Sequence, residues 1–296
     1  MSLTIEINGK PCECEPGEFL LEVARRNKFL IPSLCHHDGL PGRGCCRVCV
    51  VEAEARGRRD IVTSCVYPIE RECKIYTDSE RVKRLRKMTL ALLRASAPES
   101  DRIARLCRMY GVPPYERFQT KPDEKCVLCG LCAKACENLG TGAISTVNRG
   151  MDKAVSTPYG EPSAVCVGCG SCASVCPTGA IKYEENVLEG GFTARKIWGK
   201  TFKLISCERC GRIVGTPEEL RRAADKAQPA SDPDGKGPAP IYGESTPASK
   251  SEEPFETPSP DGAGSAAETG KNAVLCDECK KKTMADKLAV IFGRQA

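Results

Sequence analysis

Two runs of four cysteines with identical internal spacing constrain this chain more than anything else in it. Cys126, Cys129, Cys132 and Cys136 follow C-x2-C-x2-C-x3-C, and Cys166, Cys169, Cys172 and Cys176 repeat it, each 40 residues after its counterpart. Three thiols two residues apart wrap a short loop around one face of an inorganic cluster, with backbone amides turned toward the sulfurs. The fourth lies beyond that loop and reaches a second cluster. The doubled pattern therefore predicts paired [4Fe-4S] clusters. One takes Cys126, Cys129, Cys132 and Cys176, and the other takes Cys166, Cys169, Cys172 and Cys136. Each fourth cysteine is expected to open a helix that leads away from its loop. Gly130, Gly168 and Gly170 suit a backbone that crowds the sulfurs.

Pro177 follows the second run as in the bacterial ferredoxin pattern. Glu137 stands where the first run lacks that proline, a departure that bears on local geometry rather than on ligation. Eight zinc-binding or free thiols are the competing reading, and two runs in register weigh against it.

The rest of the composition fits small metal-held modules. The 296 residues include 21 cysteines, two histidines and 5% aromatics, too little for a large aromatic-rich core. The opening residues, Met1 to Gly9, show no basic region followed by an apolar run, so no signal peptide is expected. No stretch approaches the ~18 apolar residues of a membrane span. A cytoplasmic setting is the expectation, and there grouped thiols stay reduced and bind metal rather than pair as disulfides. The formal charge of +5 counts every thiol as neutral. Each four-thiolate site around a 2+ core carries −2, so four such sites turn +5 into −3. A nucleic-acid partner is therefore not expected. The basic run from Arg81 to Lys87 reads as a solvated helix face.

At the N-terminal end, Cys35, Cys46, Cys49 and Cys65 form C-x10-C-x2-C-x15-C. Four thiolates on a long loop between strands suit a [2Fe-2S] rhomb, although the first gap exceeds the plant-type spacing and leaves the assignment open. Three segments make it specific: Ile31 to His37, Gly44 to Glu52 and Thr63 to Cys65. They resemble the [2Fe-2S] domain shared by three groups. These are the large iron–sulfur subunit of NADH:quinone oxidoreductase (complex I), hydrogenase diaphorase subunits, and the N-terminal arm of iron-only hydrogenases. The order of modules over residues 1–185 is also similar. The resemblance implies a [2Fe-2S] cluster on Cys35, Cys46, Cys49 and Cys65. Cys45 stands where that family usually has a small residue, and Cys46 alone gives the family spacing. His36 and His37 are expected to hydrogen-bond within the loop, since four well-spaced cysteines leave no need for a histidine ligand.

The expected fold is α+β and multi-module. A β-grasp [2Fe-2S] domain (1–78) leads to a helical spacer (79–120), a bacterial 2[4Fe-4S] domain (121–185), and a zinc-ribbon-like four-cysteine module (186–227 with 272–296). The last is interrupted by a disordered linker (228–271) rich in proline, serine and glycine. The pair Asn8-Gly9 predicts a hairpin after Leu3–Ile7. Strands are expected near 48–54, 60–63, 72–77 and 201–205, with a helix over 18–28. In the spacer, Val82, Leu85, Met88 and Leu92 recur at helical spacing and predict one buried face. The family often places a cluster with one histidine and three cysteine ligands there. Residues 79–125 hold no histidine and only Cys107, so that cluster has no ligands in this chain. Thr216-Pro217-Glu218-Glu219 predicts a capped helix start, and a last helix is expected from Lys280 to Phe292.

Cys207-x2-Cys210 and Cys276-x2-Cys279 supply a further four-thiolate set. Structural zinc, a fourth iron–sulfur cluster and redox thiols all fit it; zinc ranks first because two such pairs are its usual ligands. Looping out a long linker adds little entropic cost. Cys12, Cys14, Cys45, Cys73 and Cys107 read as small apolar fillers. No dinucleotide fingerprint and no nucleophile–base set stands out, so no substrate site is expected. The leading reading is an electron-transfer subunit of a cytosolic oxidoreductase, with electron-bifurcating assemblies among the candidates. The implied partners are a flavin- or NAD(P)H-binding subunit and a hydrogenase- or formate dehydrogenase-like subunit, or ferredoxin. A free polyferredoxin and a redox-sensing regulator are the alternatives.

Overall fold

A computed structural model describes residues 2–113, 122–188, 191–227 and 276–279. The expected linker at 228–271 and the helix from Lys280 to Phe292 lie outside the described residues. The chain divides into two compact units, residues 1–203 and 204–296.

The first unit opens with the hairpin β1 (Leu3–Ile7) and β2 (Lys10–Cys14). Both turn residues, Asn8 and Gly9, have positive φ (50° and 83°), the twist that a two-residue hairpin requires. Asn8 also exchanges two hydrogen bonds with Thr77 (2.7 and 2.9 Å), which ties the turn to the end of a later strand. α1 (Leu20–Arg26) buries Leu20, Leu21, Val23 and Ala24. β3 (Val50–Ala55) and β4 (Arg58–Thr63) turn at Arg56-Gly57, and β5 (Lys74–Tyr76) completes the sheet. The strand order is β2-β1-β5-β3-β4, with β1 and β5 parallel and the other pairs antiparallel. One face packs on α1 through Ile5, Ile7, Val51, Ile69 and Ile75. Cys12, Cys14 and Cys73 belong to that core, as expected of small apolar fillers.

The spacer forms α2 (Glu80–Ser96) and α3 (Asp101–Met109), capped by the hydroxyls of Ser79 and Ser100. Its buried face differs from the one expected. Val82, Arg86, Leu90 and Ala91 are buried on α2, whereas Leu85, Met88 and Leu92 are exposed. A charged residue at a core position is the reason the apolar pattern misleads. Arg86 is only 2% exposed and takes its place among the buried residues. Its guanidinium donates to the carbonyls of Val48 (3.2 Å), Val50 (2.9 Å) and Thr77 (3.2 Å), and lies 5.2 Å from the Tyr110 ring centroid. The basic run is thus not wholly a solvated face. Hydrogen bonds to three carbonyls offset the cost of burying that charge.

α4 (Leu131–Asn138) and α5 (Ser171–Ser174) carry the cysteine repeat, with the hairpin β6 (Ser145–Val147) and β7 (Ala154–Ser156) between them. A three-stranded antiparallel sheet follows: β8 (Glu184–Val187), β9 (Thr193–Ile197) and β10 (Lys200–Lys203). It crosses the boundary drawn at residue 185 and packs on the cysteine repeat. The strand expected over 201–205 is split, its last part belonging to the second unit. There β11 (Ile205–Ser206) pairs with β12 (Ile213–Gly215), and α6 (Pro217–Ala227) follows. Thr216 and Glu219 form the reciprocal cap, at 3.1 and 3.4 Å. Among the described residues, no helix is long and apolar enough to cross a membrane.

Candidate metal centres

Cys35, Cys46, Cys49 and Cys65 are all buried. The loop carrying the first three is held by backbone constraint on both sides. Arg47 adopts a left-handed conformation (φ 58°) and its guanidinium donates to the Thr63 hydroxyl (2.6 Å). The Ser64 hydroxyl and amide donate to the Cys49 carbonyl at 2.8 and 3.2 Å. Arg86 holds the carbonyls on either side of Cys49.

The four sulfurs crowd one another. The Cys46 amide donates to the Cys35 sulfur (3.3 Å). The Cys65 thiol draws Cys49 down to about 7, while contact with Cys35 pushes Cys46 up, and contact with Cys35 and Cys49 pushes Cys65 up. Sulfurs this close cannot all ionise unless a positive core sits among them, and an iron–sulfur core is such a group. The donor set therefore fits a [2Fe-2S] cluster. Cys45 is not an apolar filler. It is exposed, its thiol donates to the Cys129 carbonyl (3.4 Å), and contact with the Cys35 thiol holds it down at about 7. His37 accepts from the Gly39 amide (3.2 Å), and His36 Nε2 lies 3.2 Å from Asp38, so both histidines bond within their loop.

The repeat brings its fourth cysteines to opposite loops. Cys126, Cys129 and Cys132 share a field with Cys176, and Cys166 and Cys172 share one with Cys136. Cys136, Cys166, Cys169 and Cys172 line one cavity together with Ile144, Ile197 and Trp198. Amides point at these sulfurs: Leu128 to Cys126 (3.4 Å) and Ala143 to Cys136 (3.2 Å), with the Thr141 hydroxyl 3.0 Å from Cys136. Burial raises Cys129 to about 12 and both Cys132 and Cys172 to about 11. Burial also works against ionisation of Cys176. There the amides of Ile181, Thr178 and Ala180 and the Thr178 hydroxyl outweigh it and lower the pKa. Four sulfurs converging from two loops, most of them met by backbone amides, fit a cubane at each set.

One expectation is corrected: the fourth cysteine does not open the helix. In each run the third cysteine sits in the first turn, behind a left-handed glycine at the N-cap, Gly130 (φ 72°) or Gly170 (φ 76°). Cys136 lies near the end of α4, and Cys176 lies beyond α5. The loop leaves the sulfurs through a conformation open to glycine, and the helix begins there, with its N-terminal amides turned toward the thiols.

In the second unit the strand pair β11–β12 presents Cys207 and Cys210 on a tight turn, closed by Cys207 N to Arg212 O (2.8 Å) and Gly211 N to Cys207 O (2.8 Å). With Cys276 and Cys279 the four sulfurs lie within 4.8 Å of one another. Arg212 and Glu278 pair across the two knuckles at 3.0 Å. The amides of Cys276, Cys210 and Arg209 hold Cys207 down at about 6, against burial, while burial and the neighbouring sulfurs push Cys279 to about 12. The set can bind a metal ion.

Sequence reasoning did not single out Arg86 or Trp198. The signal for the second was present: Trp198-Gly199 separates two short alternating runs, as a hairpin turn does.

These sulfur sites and their folds define an iron–sulfur protein. A family model for the 2Fe-2S iron–sulfur cluster binding domain matches residues 1–80, and one for the 4Fe-4S dicluster domain matches residues 125–180. The chain is related to subunits of hydrogenases and of NADH-ubiquinone oxidoreductase. It is 32% identical over 218 residues to the NADP-reducing hydrogenase subunit HndD of Solidesulfovibrio fructosivorans, covering 63% of this chain and 37% of that protein. It is 26% identical over 204 residues to the mitochondrial NADH-ubiquinone oxidoreductase 78 kDa subunit of Candida albicans, covering 60% of this chain and 28% of that one. Among solved structures, a chain of an NAD+-reducing [NiFe]-hydrogenase in the H2-reduced state aligns with a TM-score of 0.52 at 26% identity. That alignment covers 61% of this chain and 86% of the other. The chain spans between 24% and 37% of the length of the curated relatives it matches.

Proposed function

We propose that this chain is the electron-transfer iron–sulfur subunit of a cytoplasmic oxidoreductase complex of the hydrogenase or NADH dehydrogenase kind. The observation that carries this reading is the convergence of three four-sulfur sets within regions matched by cluster-binding family models. Cys35, Cys46, Cys49 and Cys65 hold a [2Fe-2S] cluster. Cys126, Cys129, Cys132 and Cys176 hold one [4Fe-4S] cluster, and Cys166, Cys169, Cys172 and Cys136 the other. Bound there, the clusters supply one-electron chemistry at potentials set by charge, hydrogen bonds to sulfur and exposure.

The chain's own groups tune and protect these sites. Amides at Cys126 and Cys136 stabilise negative charge on sulfur, and the Thr141 hydroxyl adds to them at Cys136. Arg86 places a buried positive charge behind Cys49 and fixes the loop that carries it. Cys207, Cys210, Cys276 and Cys279 hold a structural zinc ion, since a closed tetrathiolate set stabilises a small module that lacks a large core. The partners are a flavin- or NAD(P)H-binding subunit and a catalytic redox subunit, or ferredoxin.

Anoxic purification of the full chain followed by metal and sulfide analysis tests this reading. The expected result is about ten iron atoms per chain, matching acid-labile sulfide from three clusters, and one zinc. Colourless protein without labile sulfide would refute the cluster assignment. Co-purification from the native source with a flavin-bearing subunit is the expected sign of the complex, and isolation as a lone carrier overturns that part.

A further inference from the structure

The strands beyond the cysteine repeat have no role in ligation, yet they converge on one of its two loops. Phe202 on β10 lies so close to Gly168 that a Cβ there would sit 2.4 Å from the ring. Arg195 on β9 is 8% exposed; it donates to the Gly168 carbonyl (2.9 Å), pairs with Glu185 (2.8 Å) and stacks over Tyr183. Lys200 Nζ reaches the carbonyls of Ser163, Ala164 and Cys166 at 3.4 to 3.5 Å. Two cations and one aromatic ring thus pin this hairpin onto the loop that bears Cys166 and Cys169.

At the tip of the hairpin stands Trp198, the chain's one tryptophan. It occupies the left-handed region (φ 52°), followed by Gly199 (φ 75°), a turn that favours asparagine or glycine and that a bulky residue adopts at a cost. The strain has a visible result. The indole forms part of the wall around Cys136, Cys166, Cys169 and Cys172, and its Nε1 is buried with no hydrogen-bond partner. Cys172 belongs to the buried cluster against which the indole packs. A buried donor left without an acceptor is costly, and the sulfurs that become negative in the loaded site are the acceptors its cavity offers. Backbone strain of this kind points toward function when the surroundings enforce it.

We propose that the β9–β10 hairpin is a built-in cap over the second sulfur set, and that the Trp198 indole N–H raises the reduction potential of the cluster bound there by donating to a sulfur of that set. This rests on the cluster assignment above. A hydrogen bond to sulfur stabilises the reduced, more negative state, so its loss makes the cluster harder to reduce. The first sulfur set has no indole, so the two cubanes respond differently to the same substitution.

The test uses the full chain, reconstituted without oxygen, with two variants. Trp198→Phe keeps the ring and removes the donor. Trp198→Asn gives the turn its favoured Asn-Gly pair and removes the cap's ring. In a potentiometric EPR titration, W198F is expected to retain full iron while one [4Fe-4S] signal shifts its reduced-to-oxidised ratio threefold or more, about 28 mV at 59 mV per tenfold. The other [4Fe-4S] signal and the [2Fe-2S] signal stay in place. W198N is expected to remain folded and to lose iron in air at least threefold faster than wild type. Trp198 emission is expected to be quenched in the loaded chain and restored when iron is chelated. Unchanged potentials in W198F at full iron, or emission indifferent to iron, overturns the proposal while leaving the clusters standing. A wild-type chain with no [4Fe-4S] signal overturns the cluster assignment and this proposal together.

Discussion

The two cysteine loops share a pattern and differ in almost everything around it. In the first run α4 continues through Glu137 to Asn138, and Lys134 pairs with Glu137 at 3.0 Å. In the second run α5 ends at Ser174, because Pro177 keeps Cys176 from continuing a helix. The departure at Glu137 therefore lengthens a helix without removing a sulfur from its set. The covers differ too. The first loop is covered by the N-terminal module: Arg43 packs on Gly130, and the Cys45 thiol reaches the Cys129 carbonyl. The second is covered by β9 and β10. A duplicated ligand pattern thus yields two unequal environments, and the inequality comes from neighbours rather than from the motif.

This contrast can be broken most severely at the ligands. Cys172→Ser is expected to remove one cubane, lowering iron from about ten to about six per chain while leaving the [2Fe-2S] EPR signal unchanged. Cys132→Ser is expected to remove the same amount of iron and also to perturb the [2Fe-2S] signal, because its loop touches that module. Equal effects on the rhombic signal would show that the covers are irrelevant. Next in size, Arg86→Met leaves three buried carbonyls without their donor and should cost on the order of 3 kcal/mol in thermal or denaturant melts. The damage is expected in the [2Fe-2S] signal, with the cluster under the β9–β10 hairpin spared. Gly168→Ala sets a methyl group against Phe202 in a left-handed backbone and should cost roughly 2–3 kcal/mol. Gly130→Ala meets only the mobile end of Arg43 and should cost about 1–2 kcal/mol; a reversed order would count against the cover described for the second loop. Smallest of all, Cys45→Ala should leave iron content unchanged and stability within about 0.5 kcal/mol. Loss of two irons would instead make Cys45 a ligand.

The grouping of the cysteines was readable because it is local: the repeat, the knuckle pairs and the Asn8-Gly9 hairpin all follow from near neighbours in sequence. What stayed hidden depends on distant contacts. Arg86 looked like one more solvated cation in a basic run, since nothing local shows that the carbonyls of Val48, Val50 and Thr77 await it. Its burial then moved the helix face away from Leu85, Met88 and Leu92. Trp198 was silent for a similar reason. A tryptophan before glycine hints at a turn, but only the packed hairpin places its ring beside Cys172. The helix starts were misassigned by one cysteine because the left-handed glycine, not the fourth thiol, decides where the chain can begin to coil.

One buried cluster gathers Leu34, Cys35, Cys46 and Val48 from the N-terminal loop, Leu90, Ile103 and Leu106 from the spacer, and Cys129 and Leu131 from the first cubane loop. Cys107 is the spacer's one cysteine, yet the spacer forms the keel to which two sets of cysteines are fastened. Severing the chain on either side of it would flood the interior both sets share. The boundaries visible as repeats are therefore not places where this protein can be cut into working parts.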